Sequence, residues 1–72
     1  MKTKELLEKT GISRQVLQQY LVMGLLKEKE RTEGGHRIFG EDAVKRIELI
    51  KQMNQSGYTL RDIREVFKSG IS

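Results

Sequence analysis

The chain has 72 residues, 36% apolar and 33% charged, with a formal net charge of +4. A chain this short buries about 60% of its unfolded surface, which supports one thin core and no second domain. No Cys and a single His exclude a disulfide and a thiolate metal site and leave no side-chain set for zinc, so no metal or cofactor is expected; the longest uncharged apolar run, Tyr20–Leu26, falls far below a membrane span of about 18 residues.

Proline is absent, and the glycines divide the chain into segments of helical length with one glycine-rich interruption, which predicts four helices. The first is read over 4–9, with Thr3 offering a capping oxygen, Glu5 in the first turn and Leu6 and Leu7 facing inward. Gly11, able to take a positive φ, makes the turn Thr10-Gly11-Ile12. Ser13 caps a second helix that runs to about Met23. Its Val16, Leu17, Tyr20 and Leu21 recur at helical spacing and leave Arg14, Gln15, Gln18 and Gln19 off the apolar stripe. Gly24 ends this helix, and Leu25-Leu26 return to the core.

From Lys27 to Phe39 the helical period fails. Thr32-Glu33-Gly34-Gly35-His36 reads as a turn between extended runs at 28–31 and 37–39, a short projecting hairpin. Either Ile38 points inward with Arg37 and Phe39 outward, or the reverse. Glu41-Asp42 open a third helix behind Gly40, a weaker cap, with Ala43, Val44, Ile47, Ile50 and Met53 as its buried stripe to about Gln55. Ser56-Gly57-Tyr58 closes it. Thr59 and Asp62 then cap a fourth helix whose core face is Leu60, Ile63, Val66 and Phe67, fading at Ser69-Gly70. Lys45, Arg46 and Lys51 are read as an exposed face, with Glu41–Lys45 and Glu48–Lys51 paired at helical spacing.

Two helices joined by Thr-Gly-Ile, a Gly-Gly wing and two more helices make a mainly α winged helix-turn-helix. Its parts are a helix-turn-helix over about 3–23, a wing over about 27–39, and helices over about 41–55 and 60–68. The run Glu5-Leu6-Leu7…Thr10-Gly11-Ile12-Ser13, then Leu17…Tyr20…Gly24-Leu25-Leu26, resembles the start of a MerR-type transcriptional regulator. Arg31-Thr32-Glu33-Gly34-Gly35-His36-Arg37-Ile38-Phe39 is similar to that family's wing. Ile47…Ile50 and Gly57-Tyr58-Thr59-Leu60-Arg61-Asp62-Ile63 resemble its third and fourth helices, so the likeness covers residues 3–67.

That resemblance implies sequence-specific binding of double-stranded DNA for transcriptional regulation in a bacterial cytoplasm. Two departures stand out. Where the family's second helix commonly reads Leu-Arg-Tyr-Tyr-Glu, this chain has Leu17-Gln18-Gln19-Tyr20-Leu21, without an Arg that typically holds phosphate, one aromatic and the acid. The long coiled-coil helix and effector domain that follow in these regulators are also not in this sequence. An excised DNA-binding domain or a naturally short relative, such as a phage excisionase, is therefore expected. A homodimer would need segments absent from this chain.

Candidate contacts follow from residue type and place. Arg14 and Gln15 stand at the start of the second helix, where Arg to guanine and Gln to adenine are good bidentate pairs in a major groove. Gln18 and Gln19 can donate and accept at base edges. Tyr20 can give its hydroxyl to a phosphate while its ring packs in the core. Arg37 and His36 at the wing, with Arg31 on the other arm, are placed for phosphate or the minor groove. The resemblance adds Tyr58 and Arg61 at the position of a second wing, by a helix N-terminus that favours phosphate. Each has a plainer reading as solvated polar surface or, for the tyrosines, as core or turn packing.

The basic excess is spread evenly, seven bases against five acids in each half, so it permits DNA binding through a shaped surface rather than a tail. Lys2-Thr3-Lys4-Glu5 directly after Met1 gives no apolar stretch of a secretory leader. Catalysis finds no support, since Glu41 and Asp42 are adjacent and Gly34-Gly35 lacks the frame of a phosphate-cradling loop. Two other functions fit the sequence. One is an excisionase-like architectural factor that fills tandem DNA sites. The other is a protein-interaction module that uses Leu21-Val22 beside Leu25-Leu26.

Overall fold

The computed structural model describes residues 1–69. In chain order it contains α1 (Thr3–Thr10), α2 (Arg14–Met23), β1 (Glu30–Arg31), β2 (Arg37–Ile38), α3 (Glu41–Gln55) and α4 (Leu60–Lys68). This is the mainly α winged helix-turn-helix expected, with four helices and one two-stranded hairpin.

Local chemistry sets the helix ends. Ser13 Oγ accepts from the Val16 N–H at 3.1 Å and starts α2. Thr59 and Asp62 form both halves of a capping box on α4, each accepting from the other's backbone N–H. The Thr59 N–H holds the Asp62 carboxyl below the usual range for an aspartate. Gly11 (φ 76°) and Gly24 (φ 78°) close α1 and α2 in the left-handed region, where a side chain would be strained. The expected Thr3 cap is not formed. Lys2 takes the capping position without a side-chain bond and Thr3 lies inside the first turn, because residues 1–2 are drawn into the wing instead.

The core comprises Leu6 from α1, Leu17 and Tyr20 from α2, Leu25 and Leu26 from the turn, Phe39 from the wing, Ala43, Ile47 and Ile50 from α3, and Ile63 from α4. Leu60, Phe67, Met53 and Val16 pack around it, half-buried. In the wing, Phe39 is the residue that turns inward, while Arg37 and Ile38 are half-buried. Glu30 pairs with Ile38 and Arg31 with Arg37, and the three-residue loop between Thr32 and His36 is closed by Gly35 N–H to the Thr32 carbonyl. Lys2 bridges Ile38 on the other side, and the Phe39 N–H donates to the Met1 carbonyl, so the N-terminus forms a third edge of the hairpin.

The charged face assigned to α3 holds in part, with Lys45 and Arg46 exposed and Glu48 paired with Lys51, but three of its groups also reach other elements. Glu41 pairs with Lys9 of α1 at 3.1 Å, not with Lys45. Arg46 donates through Nε to the Leu25 carbonyl at 2.7 Å and lies over the Phe67 ring at 4.1 Å. Lys51 Nζ reaches the Thr10 carbonyl at the end of α1 at 2.8 Å, with Glu48 more distant at 3.9 Å. These contacts arise because helix packing brings α1 and the turn after α2 within reach of α3, which spacing along α3 does not encode. Gly70, where α4 was expected to fade, lies outside the described residues. Among those residues no helix is long and apolar enough to cross a membrane.

Candidate nucleic-acid interface

Burying Leu17 and Tyr20 forces the opposite side of α2 into solvent. Arg14, Gln15, Gln18, Gln19 and Val22 are all exposed, and together with Met23 they line one shallow apolar-floored cleft. Arg14, Gln18 and Val22 stand four residues apart and form a row along the helix. Val22 is 76% exposed, an apolar side chain at the C-terminal end of that row. Sequence reading grouped it with Leu25 and Leu26, but those two are buried, so that larger apolar patch does not exist.

Two more clefts join this face. Gln18 and Val22 also line the space between α2 and the wing, opposite Lys27, Glu28, Arg31 and Arg37. Arg14 and Arg37 also line a basic hollow with Lys2, Lys4 and His36. The shared residues make the three clefts one continuous surface running from the N-terminus across α2 to the wing. Lys2 and Lys4 are its unforeseen members. Their signal in the sequence is only two lysines flanking Thr3, and the Lys2–Ile38 bridge that delivers them is long-range.

The electrostatics of the surface are uneven. Lys2, Lys4 and Arg14 make no ion pair among the described residues. Arg37 Nε is enclosed without a hydrogen bond and faces Glu28 at 3.6 Å. Arg31, a candidate contact on the other arm of the wing, donates to Glu28 at 3.0 Å. A bond from its own backbone N–H, then Arg31 and Arg37, hold the Glu28 carboxyl below the usual glutamate range. His36 is exposed at the turn, its backbone N–H bonded to Thr32 Oγ1 at 3.2 Å.

Tyr20 is only 5% exposed, so its ring belongs to the core, and burial pushes its hydroxyl pKa up. That hydroxyl bonds to no described residue and is not fully enclosed. It stays a neutral donor. Tyr58 and Arg61 are exposed at the start of α4 but line none of these three clefts. The α4 N-terminus is already satisfied by its capping box, and Asp62 places an anion where a phosphate was expected. No group of three or more His, Cys, Asp or Glu able to hold a metal occurs among the described residues.

The surface has known counterparts. Residues 1–70 match the model for the MerR HTH family regulatory protein. The nodulation protein NolA of Bradyrhizobium elkanii is 37% identical over 68 residues, covering 94% of this chain and 31% of that protein. The mercuric resistance operon regulatory protein of Bacillus cereus is 39% identical over 59 residues, covering 82% of this chain and 45% of that protein. This chain thus spans less than half the length of these curated relatives. The crystal structure of MtaN, the N-terminus of the Bacillus subtilis multidrug transporter activator, matches with a TM-score of 0.87 at 25% identity, over 93% of this chain and 63% of that one. With the family model matched from residue 1 to 70 on a four-helix winged framework, the chain belongs to the MerR HTH family of regulatory proteins.

Proposed function

We propose that this chain is the DNA-reading head of a cytoplasmic transcriptional regulator, with α2 in the major groove and the wing and N-terminus on the flanking backbone. The observation that carries this reading is the continuous surface on which exposed polar side chains of α2 are flanked by Lys2 and Lys4, which make no ion pair among the described residues, and by the wing arginines. At ten residues, α2 is about 15 Å long and spans about four base pairs of a groove about 12 Å wide. Arg14, Gln15, Gln18 and Gln19 read base edges. Val22 meets a thymine methyl, the apolar feature of that groove.

Lys2, Lys4, His36 and Arg37 hold phosphates, and the Tyr20 hydroxyl adds a neutral hydrogen bond to the backbone. Tyr58 and Arg61 give an outlying side-chain contact. Neutralising about four to six phosphates sets the slope of log K against log salt near −4 to −5. A single module buries only about 600–1,000 Å² on DNA, so regulation uses a second copy joined by segments outside this chain.

Paired substitutions test the division of labour. Arg14→Ala relaxes base preference by about 1–3 kcal/mol, measured as the affinity ratio between a preferred duplex and its scrambled version. Arg37→Ala weakens all sequences alike and flattens the salt slope by about 0.9. An unchanged preference in the first removes Arg14 from base readout, and an unchanged slope in the second removes Arg37 from the backbone.

A further inference from the structure

Among the described residues, Glu28 is the only acid lining the cleft between α2 and the wing, whose other polar side chains are Gln18, Lys27, Arg31 and Arg37. Its position is imposed by the fold. Leu26 is buried two residues earlier, and the Lys29 N–H bonds the Ile38 carbonyl at 2.8 Å, which pins the backbone on both sides of Glu28. The carboxylate then reaches across both arms of the hairpin. One oxygen accepts from Arg31 Nε at 3.0 Å, and the other faces Arg37 Nε at 3.6 Å.

Arg31 lies at the outer arm with half its side chain exposed, where a duplex backbone laid along the wing would meet it. An exposed ion pair of this kind is weak enough to exchange. The tetrahedral phosphate and the planar Glu28 carboxylate both present anionic oxygens that accept from a guanidinium, so they compete for the same donors. We propose that Glu28 is a brake on sequence-indifferent DNA binding, competing with phosphate for Arg31 and more loosely for Arg37. The inference rests on the DNA-binding reading and adds a specificity determinant to it. Backbone attraction supplies essentially all non-specific affinity. An internal anion that withholds one wing arginine lowers that term and leaves discrimination to the α2 face.

The test uses the whole chain and a random-sequence duplex pool. Glu28→Gln keeps an oxygen for Arg31 but removes the charge. It binds the pool roughly three- to tenfold tighter, and its slope of log K against log salt steepens by about 0.9 as Arg31 joins the phosphates. A merely structural role for Glu28 would leave that slope unmoved. Wild-type binding with E28Q unchanged in affinity and slope overturns the inference and leaves the DNA reading intact. No binding by either protein overturns both. Should E28Q fail to fold, Arg31→Ala in the presence of Glu28 decides the matter. No measurable flattening of the slope supports the brake. Flattening by about 0.9 means that Arg31 already grips phosphate, and the brake is refuted.

Discussion

Lys2 and Lys4 owe their role to where the backbone carries them. The bridge from Lys2 to Ile38 and the hydrogen bond from Phe39 N–H to the Met1 carbonyl hold the N-terminus against the wing. Both ammonium groups then share a hollow with Arg14, His36 and Arg37. Each is a point charge on a flexible stem, suited to phosphate and unsuited to reading a base. The double variant Lys2→Ala/Lys4→Ala flattens the salt slope by about 1.8 while the preferred sequence stays the same. A slope equal to that of the wild-type chain would place the lysines outside the interface. Along α2 the proposed division is opposite: Gln18 and Gln19 add no charge, so in that proposal the helix contributes selectivity more than grip.

At the scale of the elements, Arg46 is the brace. From the outer side of α3 it ties the Leu25 carbonyl, just after the reading helix, to the Phe67 ring on α4. Arg46→Ala loses a charge-assisted hydrogen bond and a cation–π contact at a partly solvated site, which costs about 1–2 kcal/mol of stability in urea melts. Base preference is unchanged, because no atom of Arg46 belongs to the α2 face. A loss below about 0.5 kcal/mol would show that the brace is not holding. The same residue marks a limit of sequence reading. Helices were legible because their signals are local: Ser13 and Thr59 as caps, Gly11 and Gly24 as stops, and apolar stripes at 3.6 spacing. Ion pairs were not. Glu41 and Lys45 have the right spacing for each other, yet Lys9 and Glu41 meet across two helices, and the bond raises the Lys9 pKa. In the candidate site, the α2 residues and Arg37 were legible from helix position and motif. Lys2, Lys4 and the hold of Glu28 on Arg31 depend on strand pairing between distant segments, which two-residue strands do not announce.

As a whole molecule, the chain measures 36 × 23 × 19 Å and builds its fold on a ten-residue apolar core. Its charge is even along the sequence but not in space. Lys2, Lys4, Arg14 and Arg37 gather on one surface, whereas Lys9 and Lys51 are spent on contacts between α1 and α3. That redistribution turns a modest net charge into a directional field, and in the proposed function the α2 row beside it supplies the selectivity. Selection from a pool of random duplex DNA, repeated at two salt concentrations, tests this most directly. The account predicts enrichment of one defined half-site, with affinity falling at a log–log slope near −4 to −5. No enriched sequence at either salt, or binding that is indifferent to salt, would contradict it.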